Sequence, residues 1–127
     1  MKEAVVSGGA PKAIGPYSQG IQATGLIFVS GQIPLDPGTG TMVPGGIAEQ
    51  TVRVLESIAG VLAAAGAGME SVAKTTVFLT DMDNFAAMNR VYASYFPGVA
   101  PARSTIEVSR LPKDALVEIE AIAIAHR

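Results

Sequence analysis

Apolar and polar positions along this 127-residue chain repeat with two different periods, and the periods divide it into a short series of elements. Residues 20–24 and 26–33 read as two strands joined by a turn at Thr24-Gly25. The second of them, from Leu26 to Ile33, is apolar on both faces until Ser30-Gly31 interrupts it. Residues 34–46 carry Pro34, Pro37, Gly38, Gly40, Pro44, Gly45 and Gly46 and predict a loop. The period then changes. Ile47, Thr51, Val54, Leu55, Ile58, Val61, Leu62 and Ala65 fall on one face of a helix that Gly66 stops. The β-branched run from Lys74 to Thr80 predicts a strand. Asp81 or Asp83 can cap a second helix, whose Phe85, Met88, Tyr92 and Tyr95 repeat at three and four and which Pro97-Gly98 ends. Two more strands, Ala102 to Val108 and Leu116 to Ala125, flank a Leu111-Pro112-Lys113-Asp114 turn. The order β-β-α-β-α-β-β predicts one α+β domain over residues 1–127, a single sheet with two helices on one face. Before residue 20, breaker-rich stretches such as Ile14-Gly15-Pro16-Tyr17-Ser18-Gln19 predict no regular structure.

Composition adds an assembly and removes several chemistries. Hydrophobic residues make up 49% and charged residues 16%, against a usual ~25% charged. A domain this small cannot hide so much apolar surface in its own core, so a homo-oligomer is expected. A net charge of −2 removes the basic surplus of a nucleic-acid or acidic-membrane binder. With no cysteine, disulfides, thiolate metal sites and a cysteine nucleophile are excluded. The single histidine, His126, is penultimate, where chains usually fray, so neither a histidine metal cluster nor a Ser-His triad is expected. Met1 to Pro16 has neither a long apolar run nor a basic leader. The longest apolar stretch, Ile58 to Met69, holds three glycines and is shorter than the ~18 residues of a membrane span. A soluble, intracellular chain is the expectation.

The last strand carries the clearest anomaly. Val117, Ile119, Ala121, Ala123 and Ala125 share one face, and Leu116, Glu118, Glu120, Ile122 and Ile124 share the other. Two carboxylates on an otherwise apolar face need a partner, a raised pKa or water. Either that end of the strand meets solvent, or each glutamate pairs with a nearby cation, or the pair does chemistry. On the preceding strand Arg103, Thr105 and Glu107 share a face, and the short connection suggests that the two strands lie close in space. Arg103 could then pair with Glu118, or both could face a ligand, a guanidinium offering a carboxylate a bidentate grip. Tyr17 could line a pocket or pack within its loop. Ser30-Gly31 could present backbone amides or only permit a turn. Asn89 could face the sheet edge, although solvent is the commoner place for it. The Asp81-Met82-Asp83-Asn84 run lacks the glycine and terminal glutamate of a calcium loop and reads as a helix cap. No glycine cluster leads into a phosphate loop.

These residues resemble a known family. Pro101-Ala102-Arg103-Ser104-Thr105-Ile106-Glu107-Val108-Ser109-Arg110-Leu111-Pro112-Lys113-Asp114, continuing to Val117-Glu118-Ile119-Glu120-Ala121, is similar to the C-terminal signature of the RidA/YjgF family. Ile14-Gly15-Pro16-Tyr17-Ser18-Gln19-Gly20, Ser30-Gly31-Gln32-Ile33 and Lys74-Thr75-Thr76-Val77 resemble its other blocks, so the likeness runs nearly the length of the chain. The resemblance implies a chorismate-mutase-like α+β fold and a cytoplasmic homotrimer with ligand clefts between subunits. It implies hydrolysis of 2-iminobutanoate and 2-iminopropanoate, released by pyridoxal-phosphate enzymes, to 2-keto acids and ammonia. Neither cofactor nor metal is implied, and neither nucleic acid nor membrane is an expected partner. By the same resemblance Arg103 binds the substrate carboxylate, Glu118 handles the water, and Tyr17, Ser30, Gly31 and Asn89 line the cleft. Thr105 stands where the best-known subgroup often has cysteine, a contact made mainly through backbone. A non-catalytic sensor of small carboxylate metabolites would use the same cleft. A ribonuclease or translation-inhibitor role, attached to some members, is disfavoured by the net charge and by the lack of a catalytic histidine.

Overall fold

Each apolar period finds the surface it requires. The computed structural model describes residues 1–126. Six strands, β1 (Glu3–Val5), β2 (Gly20–Ala23), β3 (Leu26–Gln32), β4 (Val72–Leu79), β5 (Ala102–Glu107) and β6 (Val117–Ile124), form one mixed sheet of order β1-β2-β3-β6-β4-β5. Helices α1 (Ile47–Ala64) and α2 (Phe85–Tyr95) cover one face of it. The core joins Val54, Leu55, Ile58, Val61 and Leu62 of α1, and Met88 and Tyr92 of α2, to Ile27, Val29, Val77, Leu79, Val117 and Ile119 of the sheet. The α+β expectation of one sheet and two helices therefore holds.

The structure departs from the sequence reading in three places. First, Glu3–Val5 forms an extra edge strand, paired with Gly20 to Gln22 of β2. Three residues are too few to display a period, so nothing in the sequence marked it. Second, β5 and β6 are not neighbours, because β4 lies between them, parallel to β5 and antiparallel to β6. The unit β4-α2-β5 is a crossover, which demands parallel strands. The Leu111–Asp114 connection then passes across the end of β4, where Val108 N–H donates to Leu79 O at 2.8 Å and Thr80 N–H to Leu116 O at 3.2 Å. Third, His126 is not loose: its Nε2 is hydrogen-bonded to Ser71 Oγ at 2.7 Å.

The irregular segment before β2 is held by one buried side chain. Gln19 Nε2 donates to Ser7 O, Ala10 O and Pro11 O, and Gln19 Oε1 accepts from Ser7 N–H at 2.7 Å. The segment crosses α1 at Gly60, whose carbonyl accepts from Ser7 Oγ at 2.8 Å. A Cβ at position 60 would lie 2.9 Å from Gly9 backbone. Close passage thus explains a glycine that otherwise costs the helix ~1 kcal/mol.

The other face of the sheet has no helix. Phe28, Ile106 and Ile124 are 40%, 45% and 52% exposed there. A β-bulge interrupts β3 on this sheet: Val29 pairs with Ala121, but Gln32 pairs with Ile119, leaving one extra residue in the Ser30-Gly31 stretch.

Candidate functional site

The bulge sets the position of Glu118. A Cβ at Gly31 would overlap Glu118 Oε2 and sit 2.9 Å from its Cδ, so only glycine lets the carboxylate lie against the β3 backbone. Tyr17, Gly31, Ile33, Leu35, Pro112 and Glu118 line a cavity of about 430 Å³. Glu118 is the single carboxylate among its lining residues. Burial pushes the Glu118 carboxyl above the usual range, and the charge of Glu120, two residues along on the same face, pushes it further. The two glutamates accordingly have different surroundings: Glu118 is half-buried in the cavity and Glu120 is exposed.

Ser30 is placed differently from Tyr17, Gly31 and Glu118. Its Oγ donates to Ser18 O and its N–H donates to Gln19 O at 3.0 Å, so it ties the bulge to the Tyr17 loop. It lines a separate depression of about 250 Å³ with Lys74, Thr76 and Glu120. The connecting-turn signature also contributes to the cavity through Pro112 and Lys113; Lys113 has a left-handed φ of 56°.

Arg103, Thr105 and Asn89 lie on the opposite, helix-covered side. Arg103 pairs in register with Thr75, whose side chain faces α2, whereas Glu118 pairs with Phe78, whose side chain faces away from it. Within one copy Arg103 and Glu118 therefore form no ion pair, contrary to the pairing that a short connection suggests. Arg103 Nη1 donates instead to Asn89 Oδ1 at 2.7 Å, so Asn89 faces the sheet edge and not solvent. The guanidinium carbon lies 4.7 Å from the Tyr92 ring centre and 5.5 Å from that of Phe85. Tyr92 OH is hydrogen-bonded to Thr75 Oγ1 at 2.7 Å. Burial raises the Tyr92 phenol above its ordinary pKa, opposed by the Thr75 hydrogen bond and the Arg103 charge. Thr105 Oγ1 is buried without a hydrogen-bond partner among the described residues.

The helical period places Phe85 and Tyr92 on the apolar face of α2 and does not mark them as partners of Arg103. The available signal was their spacing with Asn89: positions i, i+4 and i+7 form one stripe of α2, and an amide within an aromatic stripe calls for a polar partner.

The Glu118 environment has a consequence for stability. The folded chain favours the protonated carboxyl, so the contribution of Glu118 is most favourable below its ordinary pKa of 4.5. That contribution is lost as pH rises through the raised value. Thermal melts of Glu118→Gln are expected to exceed wild type by a few degrees at neutral pH, on the scale of a relieved functional-site cost. The gap should narrow on acidification; a gap that widens in acid would contradict the assigned environment.

Comparison with known proteins places this geometry. The family profile described as Endoribonuclease L-PSP matches residues 7–125, and the chain belongs to that YjgF/RidA family. A RutC family protein of Pyrococcus horikoshii is 57% identical over 123 residues, covering 97% of this chain and 98% of that protein. The 2-iminobutanoate/2-iminopropanoate deaminase of Mus musculus is 48% identical over 115 residues, covering 91% and 85%. Among solved structures, E. coli TdcF with bound serine superposes with a TM-score of 0.93 at 41% identity, covering 98% of this chain and 99% of that one. Among the described residues no helix is long and apolar enough to cross a membrane.

Proposed function

We propose that this chain hydrolyses 2-imino acids, 2-iminobutanoate and 2-iminopropanoate among them, to 2-keto acids and ammonia, as a homotrimer. The observation that carries the proposal is the placement of Glu118: the single carboxylate lining a largely apolar cavity, with its proton affinity raised toward the range in which an acid–base group works. The named activity of the mouse relative and the serine held by TdcF, a small molecule with an α-carboxylate, support the substrate class.

The chemistry needs little machinery. A 2-imino acid already carries an electrophilic C=N carbon. Arg103 grips the carboxylate with its remaining N–H donors and fixes that carbon. Glu118 removes a proton from a water as its oxygen adds to the carbon, then returns the proton to nitrogen. Glu118 then takes the hydroxyl proton of the resulting carbinolamine and passes it to the nitrogen, so the C–N bond breaks with ammonia as the leaving group and the keto-acid carbonyl forms. Since Arg103 and Glu118 occupy opposite faces of one sheet, a substrate touching both sits between copies. The exposed Phe28, Ile106 and Ile124 face gives such copies an apolar surface to bury.

The test couples the protein to threonine dehydratase and follows 2-ketobutanoate formation, with semicarbazide trapping the free imine. Faster keto-acid formation with less trapped imine supports the activity; no acceleration by the folded oligomer rejects it. In the same assay Gly31→Ala is expected to lose about 10²-fold in rate, the usual cost of misplacing a catalytic group by ~1 Å. Activity near wild type would show that Glu118 does not depend on the bulge.

A further inference from the structure

The geometry points to α2 as a preformed guanidinium receptor, in which Phe85 and Tyr92, with Asn89, are positioning residues for Arg103. The inference rests on the substrate-carboxylate role proposed for that arginine. Several observations converge on it. The stripe Phe85, Asn89 and Tyr92 presents two rings and one amide acceptor to a single side chain. Asn89 uses one of the guanidinium donors, and Arg103 makes no ion pair among the described residues, so the other donors remain available. Tyr92 is 5% exposed, and its hydroxyl is tied to Thr75, the residue paired with Arg103 across β4 and β5. The ring that holds the guanidinium is thus fixed to the strand beside the arginine, closing a loop of constraints: strand pairing, Thr75, Tyr92, Arg103.

The consequence is directional. A free arginine samples many rotamers, and its fork loses that freedom only when it meets a carboxylate. Here the loss is taken during folding, so the fork already lies in one orientation when a ligand arrives. In a planar imino acid the carboxylate and C=N are conjugated, so an oriented fork also orients the face of the carbon that water attacks. Tyr92 touches no reacting atom in this scheme. It acts through Arg103.

Chemical rescue tests the receptor directly. Arg103→Ala should leave a hollow that binds N-ethylguanidinium, measured by calorimetry without any turnover, and millimolar amounts should restore imine hydrolysis at least about tenfold. The double variant Arg103→Ala/Tyr92→Leu should lose that binding. In the otherwise native chain Tyr92→Leu should raise KM about tenfold with a smaller change in kcat, whereas Tyr92→Phe, which keeps the ring but loses its tie to Thr75, should raise KM by clearly less than the leucine variant does. Phe85→Leu, at a less buried position, repeats the test where Tyr92→Leu fails to fold. Equal N-ethylguanidinium binding with and without the rings, or an unchanged KM in both leucine variants, overturns the receptor. If the hollow binds the guanidinium but no imine is hydrolysed, the receptor stands and the proposed deaminase activity falls.

Discussion

Arg103→Ala is expected to lower kcat/KM for 2-imino acids by about 10²–10³-fold while the oligomer and its melting profile persist. The magnitude is that of removing one partner from a desolvated, charge-assisted carboxylate contact, about 3–4 kcal/mol. Survival of the fold follows from the local contacts. Arg103 is half-buried on the edge strand β5 and makes no ion pair among the described residues, so truncation strands no buried carboxylate. Asn89 loses a donor, but Tyr92 keeps its bond to Thr75. Steady-state kinetics with size-exclusion chromatography and light scattering on the same preparation check both halves. Disassembly with loss of activity would make Arg103 an assembly residue. Full activity would remove it from the substrate site.

Glu118→Gln is expected to cut kcat by about 10²–10⁴-fold with the affinity for 2-ketobutanoate changed little. The amide keeps the size of the side chain beside Gly31 but can neither take a proton from water nor return one to nitrogen. The wild-type rate should rise along an acid limb set by ionisation of Glu118, displaced upward from the ordinary carboxylate pKa because burial and then the Glu120 charge favour the protonated form. Removing that charge with Glu120→Gln should move the limb to lower pH. A Glu118→Gln variant that binds ligand normally and turns over at the wild-type rate would place the proton transfer elsewhere. A wild type that binds 2-ketobutanoate but accelerates no hydrolysis would indicate a metabolite sensor.

Local order was legible in the sequence wherever a residue's neighbours along the chain decide its state. The 3.6-residue period of Ile47 to Ala65, the β-branched run of Lys74 to Thr80 and the alternation of Val117 to Ala125 all reappear as α1, β4 and β6. Alternation alone separated the buried Val117, Ile119, Ala121 and Ala123 from the face carrying Glu118 and Glu120. The sequence blocks likewise contained Tyr17, Gly31, Glu118 and Arg103, and the resemblance added Asn89 from outside them. Their grouping was not legible. A strand's alternation says which residues share a face, but not which strand lies beside it or which face of the sheet the helices cover. The crossover through α2 made β5 parallel to β4, and the registers that pair Arg103 with Thr75 and Glu118 with Phe78 put Arg103 with Asn89, Phe85 and Tyr92 and Glu118 with Tyr17 and Gly31 on opposite sides.

By itself, then, the sequence determined every element but β1 and the inward faces, because these follow from short-range periodicity and residue type, and its motif blocks carried the resemblance to the family. Strand order, the one-residue bulge that brings Gly31 against Glu118, and the aromatic hold on Arg103 were decided only by tertiary structure. Each depends on contacts between residues far apart in the chain, whose pairing is chosen by the shared core and carries no local signature.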